Sequence, residues 1–264
     1  TWLNASSGEM FVCTDATTDA NVWTNVGSGS GDVVPWAFQG ENYGYISGGW
    51  IGPAGGNDAV DKFSFASNNN GTDVLNLTYS RWYISGVSSS AYAFTSGGVQ
   101  VPGNTYQNII DKFAFANNND ATDVGDITVP RMGVSSQSSS THGYASGGWL
   151  NSASDVIEKF SVTSDGNAVA VGTLSFGGQL GAGHNSSTHG YISGRRSGAT
   201  YYNNIDKYSF ASEGAAVDIA DLTSTTGYAG GTSSTTHGYS AGGVSDNYIN
   251  IISKFTFAAD NDAT

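Results

Sequence analysis

The side chains best suited to chemistry recur at fixed intervals along this chain. His142, His189 and His237 each open the phrase His-Gly-Tyr, and Tyr43 and Tyr92 stand at the same place in two further copies. Three imidazoles converging on one point would hold a metal ion or relay a proton. A residue type that returns with the chain's own period is better explained by the turn it belongs to, so the expectation is packing and turn chemistry. All five lysines (Lys62, Lys112, Lys159, Lys207 and Lys254) also share one position, inside Asp-Lys-Phe or a close variant. Their expected role is an ion pair with an aspartate of the adjacent strand, such as Asp73, Asp123 or Asp218. Arg81 and Arg131 share a third position, which leaves Arg195 and Arg196 as the cations outside the pattern. The turns Asn119-Asp120-Ala121-Thr122-Asp123 and Asp260-Asn261-Asp262 carry oxygen ligands of the kind Ca²⁺ uses, but lack the loop with a terminal glutamate that marks a dedicated site. Asx-turns explain them equally well, so Ca²⁺ is only a weak expectation and no other cofactor is expected. No phosphate-binding loop or nucleophile elbow is present. Cys13 is the single cysteine, which excludes an internal disulfide and a multi-cysteine zinc site. No catalytic residue is assigned.

These residues sit in elements that repeat. Tyr43-Gly44-Tyr45-Ile46-Ser47-Gly48-Gly49 returns from Tyr92, His142, His189 and His237, at spacings of 47 to 50 residues. Asp61-Lys62-Phe63 and its copies keep step with it, and Asp73-Val74-Leu75-Asn76-Leu77-Thr78 recurs as a third phrase. In Ile110-Asp111-Lys112-Phe113-Ala114-Phe115 the aromatics alternate with other residues, which is the period of a β-strand. Gly-Gly pairs and Asn/Asp/Gly clusters supply the turns between phrases. A further strand precedes each Gly-Tyr phrase, as in Trp82-Tyr83-Ile84-Ser85-Gly86-Val87. Each unit therefore reads as a four-stranded meander, and no stretch has the 3.6-residue stripe of an amphipathic helix.

Composition narrows the function. The 264 residues include 37 glycines, roughly twice the usual share, which suits a chain with many tight turns. Nine Lys and Arg against 22 Asp and Glu, a formal charge of -13, argue against a nucleic-acid partner, because phosphates are held mainly by basic side chains. No apolar run approaches the roughly 18 residues of a membrane span, and membrane insertion is not expected. The start, Thr1-Trp2-Leu3-Asn4, has neither an initiator Met nor the basic and apolar regions of a signal peptide, and the expectation is a fragment or a processed product.

Four-stranded units near fifty residues, with Gly-Gly after the second strand, resemble the kelch repeat. The resemblance implies an all-β fold, a kelch-like β-propeller of five four-stranded blades spanning residues 33–264, preceded by an N-terminal hairpin segment, 1–32. The last blade is expected to be incomplete, or closed by the N-terminal segment, because the chain stops at words that precede the fourth strand in the second unit. The phrases Ser-Ser-x-Thr-His-Gly-Tyr-x-Ser-Gly-Gly and Ile-Asp-Lys-Phe-x-Phe-Ala also resemble kelch-like regions of tail-fibre and other structural proteins of marine bacteriophages. That resemblance implies a non-enzymatic virion-surface protein, a tail fibre or decoration, oligomeric with itself and in contact with other virion proteins. Its expected ligand is a host-surface carbohydrate or protein. Ser and Thr runs beside tyrosines suit sugar hydroxyls, and the candidate binding surface comprises His142, His189, His237, Tyr43, Tyr92, Arg195 and Arg196. A cellular, otherwise extracellular, kelch-like interaction module and a polysaccharide-cleaving enzyme are the alternatives.

Overall fold

The computed structural model describes residues 2–3, 10–17, 21–25, 42–52 and 55–264. It contains β-strands and no α-helix among these residues, arranged as small antiparallel sheets of mostly three or four strands. The chain divides into two compact units, Thr1–Asn42 and Tyr43–Thr264. The expected boundary at residue 32 lies outside the described residues.

The N-terminal unit contains a three-stranded sheet in the order Trp2–Leu3, Met10–Asp15, Val22–Asn25. Its hairpin pairs Phe11 with Asn25 and Cys13 with Trp23, and Phe11 is buried. Thr14 and Thr24 join their hydroxyls across the pair at 3.0 Å.

In the second unit the five phrase copies form five separate sheets. The second, third and fourth have four strands, for example Ser85–Ser88, Tyr92–Ser96, Ile109–Ala114 and Thr122–Asp126, each paired with the next. The first and fifth have three described strands each. The first strand expected before Tyr43 lies outside the described residues. At the far end, Thr264 and Lys254 exchange backbone hydrogen bonds of 2.9 and 2.8 Å, in the register that pairs Thr122 with Lys112 in the second sheet.

Alternation puts one aromatic face of each sheet against the next sheet, and the core is built from these contacts. Four hydrophobic clusters form, each drawn from two consecutive sheets. Between the third and fourth sheets, for instance, Tyr144, Ile157 and Leu174 meet Ile192, Tyr208 and Ala216. The tyrosine of one Gly-Tyr phrase stacks on the aromatics of the next unit: Tyr45 on Phe115 at 5.0 Å, Tyr144 on Phe210 at 4.8 Å and Tyr191 on Phe257 at 4.7 Å. The glycine before that tyrosine exists for the same reason. A Cβ at Gly143 or Gly190 would run into the ring of Phe160 or Tyr208 on the neighbouring strand.

The acidic turns clip sheet to sheet. Asn76 N–H donates to Asp120 Oδ1 at 2.8 Å, and Asp221 N–H donates to Asp262 Oδ1 at 3.0 Å, each time across a unit boundary. Three of the five lysines act across the same boundaries, which corrects the expected pairing with Asp73, Asp123 or Asp218. Lys112 reaches Asp165 at 2.7 Å, Lys207 reaches Asp260 at 2.9 Å, and Lys159 pairs with Glu213. Each acceptor lies in a turn of the following unit. Asp218 instead accepts from Asn204 Nδ2.

Candidate functional site

An antiparallel meander has two ends, and the expected histidines and tyrosines fall at one of them. Position 43, 92, 142, 189 or 237 follows the turn between the first and second strands. There His142, His189 and His237 each place Nδ1 at 2.8–2.9 Å from the hydroxyl of the preceding threonine. The Ser139 hydroxyl accepts from His142 N–H, and Ser186 and Ser234 repeat this for His189 and His237, so the Ser/Thr runs shape the turn itself. Partial burial lowers His142 and His189 below the ordinary imidazole value, and the ammonium of Lys159 or Lys207 adds to it. In the first two units tyrosine replaces histidine, and a lysine lies over the ring: Lys62 at 4.2 Å from Tyr43 and Lys112 at 4.4 Å from Tyr92. Each residue serves its own sheet, and among the described residues no group of His, Cys, Asp or Glu is placed to hold a metal ion.

Arg195 is not a surface residue. It is buried, with Nη1 at 2.7 Å from the equally buried Asp206. Arg81–Asp111 and Arg131–Glu158 are the same buried pair in the second and third sheets. In those sheets the guanidinium comes from the residue four positions ahead of the first strand, and in the third sheet the second glycine of Gly-Gly leaves it room: Arg131 Cδ lies 3.0 Å from where a Cβ at Gly148 would be. In the fourth sheet the two residues are exchanged, with glycine at 178 and arginine at 195. Gly98 and Gly148 have φ of 98° and 107°, a left-handed conformation that side chains resist. Arg195 is not among the positive-φ residues, and its strand runs unbroken from His189 to Ser197, where the third sheet's stops at Ser146. In the fifth sheet both charges vanish together, leaving Thr226 and Ser253.

The opposite end carries the feature that the repeat conceals. Tyr83, Gly133, Leu180 and Tyr228 are equivalent residues ahead of four first strands, all with φ of 55–64°. Gly133 N–H donates to Tyr83 O, Leu180 N–H to Gly133 O, and Tyr228 N–H to Leu180 O, at 2.7–3.0 Å. The rings at the two ends of this chain of bonds, Tyr83 and Tyr228, lie 6.1 Å apart. Beside them is a depression of about 350 Å³, lined by side chains that include Trp82, Tyr83, Met132, Gln179, Arg196 and Tyr228. Trp82 stacks on Tyr83 at 4.3 Å and meets Trp50 at 4.9 Å, giving a continuous aromatic platform. Burial, and then the neighbouring Tyr228 phenol, push Tyr83 up to about 12, so it stays a neutral hydroxyl. Arg196 Nη1 donates to the Tyr228 hydroxyl at 3.3 Å.

Three polar atoms around this depression are buried without a hydrogen-bond partner: Trp82 Nε1, Gln179 Oε1 and Arg196 Nε. A buried donor or acceptor left unpaired costs about 1–3 kcal/mol, a cost that a water or another polar group placed here would relieve; eight further such atoms lie elsewhere among the described residues. Of the expected residues, only Arg196 belongs here. The rest were missed because they fall where the copies diverge: Trp82, Met132, Gln179 and Gly227 are equivalent, as are Tyr83, Gly133, Leu180 and Tyr228. Divergence among otherwise near-identical units was the available signal. No protein-family model matches the chain, and no curated protein matches it.

Proposed function

We propose that the chain is a non-enzymatic binding module, a kelch-like β-propeller of five blades carried on a phage virion, that holds a host-surface glycan in the aromatic depression. The observation that carries the binding reading is the platform Trp82–Tyr83 edged by unpaired Trp82 Nε1, Gln179 Oε1 and Arg196 Nε. The C–H face of a pyranose lies well on aromatic rings, while its hydroxyls both donate and accept. Support for the five-bladed ring comes from the five equivalent sheets, the one-per-boundary core clusters and the meeting of Tyr83 with Tyr228. Support for the virion setting rests on the phrase resemblance alone. The described lining carries no carboxylate and no imidazole, whereas glycoside cleavage ordinarily uses a pair of carboxylates; this favours binding over cleavage.

A glycan-array screen with wild type and Trp82→Ala tests the reading. Expected is a set of glycans bound by wild type whose signal falls about tenfold in the variant, in keeping with stacking worth up to roughly 1.5 kcal/mol. Silence across the array, or signal indifferent to Trp82, refutes it. Release of reducing ends from the bound glycans would replace binding by catalysis, and labelling of purified particles by an antibody to this chain tests the virion setting.

A further inference from the structure

The depression contains an arginine without a counter-ion. Of the four arginines, Arg81, Arg131 and Arg195 are each buried against a carboxylate. Three lysines also reach acids. Arg196, half-buried, has no acid partner among the described residues, in a protein where 22 acids face nine Lys and Arg. Its neighbours are aromatic: the Tyr228 hydroxyl at 3.3 Å and the Tyr201 ring, 5.7 Å from the guanidinium carbon. Its Nε–H points at no acceptor. The backbone holds it in place, since Arg196 and Gln179 exchange N–H···O bonds of 2.9 and 3.0 Å. Arg196, Gln179 and Trp82 share one lining of the depression.

We infer that the depression selects a glycan residue bearing one anionic group, a carboxylate or a sulfate ester, with Arg196 as its counter-ion. The inference rests on the glycan reading above and narrows it to a substrate class. A guanidinium offers paired N–H donors in a plane that match the oxygens of such a group, and a charge-assisted bond is about twice as strong as a neutral one. The stacked rings of Trp82 and Tyr83 carry the apolar face of the sugar. The formal charge of -13 disfavours a polyanion through long-range repulsion, while a single anionic group meets the guanidinium inside the Debye length of about 8–10 Å. A singly charged terminal sugar is therefore favoured over a polyuronate.

The test is a titration of intrinsic tryptophan fluorescence with lactose, sialyllactose and sulfated lactose, which share one neutral core, and with trigalacturonate as the multiply charged probe. It uses wild type, Arg196→Gln and Arg196→Lys, alongside the glycan array. Expected is binding of one or both acidic lactoses at least about tenfold tighter than lactose, with a ratio that collapses in Arg196→Gln, partly survives in Arg196→Lys, and shrinks from 50 mM to roughly 500 mM salt as screening predicts. Whether sialyllactose or sulfated lactose binds more tightly tells carboxylate from sulfate. Equal affinity for lactose and both acidic forms in wild type overturns this inference and leaves the glycan reading standing. Trigalacturonate as the tightest ligand overturns the single-charge claim. An array blank for neutral and acidic glycans alike overturns both. Should Arg196→Gln fail to melt like wild type, the wild-type ratio alone decides.

Discussion

The exchanged residues of the fourth sheet give a prediction that can be worked from distances. Arg195→Gly removes the guanidinium 2.7 Å from Asp206, with both side chains essentially inaccessible. Asp206 keeps the Ser175 N–H at 2.9 Å and the Ser175 hydroxyl at 2.7 Å, and loses its charge partner. Breaking a buried pair from one side costs about 3–5 kcal/mol. For a domain of this size, each kcal/mol moves Tm by about 2–4 °C, so the expected fall is roughly 6–20 °C. Gly178→Arg alone should also destabilise, because its Cβ would sit 2.9 Å from Arg195 Cβ and 3.0 Å from Arg195 Cδ. The double variant Gly178→Arg/Arg195→Gly recreates the arrangement of Arg131 and Gly148. It should recover at least about 2 kcal/mol relative to the sum of the single changes, a coupling well above the scatter of independent sites. Circular dichroism melts and urea titrations of the four proteins complete the cycle. A double variant no more stable than additivity predicts, or Arg195→Gly melting within a degree of wild type, would refute the claim that one guanidinium site is served from two backbone positions.

Other outcomes follow from the same buried polar positions. His184 donates Nδ1–H to Thr232 O at 3.1 Å and accepts from the Ser193 hydroxyl at 2.7 Å, and burial pushes it down to about 4. Since its unfolded value is near 6.5, its contribution is complete above pH 6.5 and is lost as pH falls from there to about 4, at roughly 1.4 kcal/mol per pH unit. His184→Gln, which copies Gln137 of the third sheet, should remove that share of the acid sensitivity in urea titrations across this range; an unchanged slope would count against it. Ser96 is the serine equivalent to Ser146 and Ser193, but its buried hydroxyl has no partner. Ser96→Ala should be neutral or stabilising, whereas Ser193→Ala should cost about 1 kcal/mol or more, and equal losses in thermal melts would contradict the assignment.

The repeat made most of the fold legible. Spacing and alternation placed the strands of the second to fourth sheets, because each phrase buries the same face against the next unit. Partners across unit boundaries were not legible: Lys112 lies beside Asp123 in sequence-derived pairing, yet reaches Asp165 in a turn of the following sheet. Arg195 was misread for a related reason. Alignment showed it outside the arginine position, and only three dimensions show its guanidinium arriving at the place Arg131 fills. The histidines drew attention because they repeat, and repetition marked a turn. The depression was hidden because it is assembled from non-equivalent side chains at equivalent positions, a property of the sheets together that no single phrase contains.

The claim on which the functional account stands is that ligand binds at the Gly-Gly end of the sheets and not at the histidine end. Glycan-array binding of Trp82→Ala/Tyr228→Ala, set beside His142→Ala/His189→Ala/His237→Ala, measures this directly. Expected are loss of binding in the first protein and wild-type binding in the second; retention in the first with loss in the second would contradict a site at the Gly-Gly end.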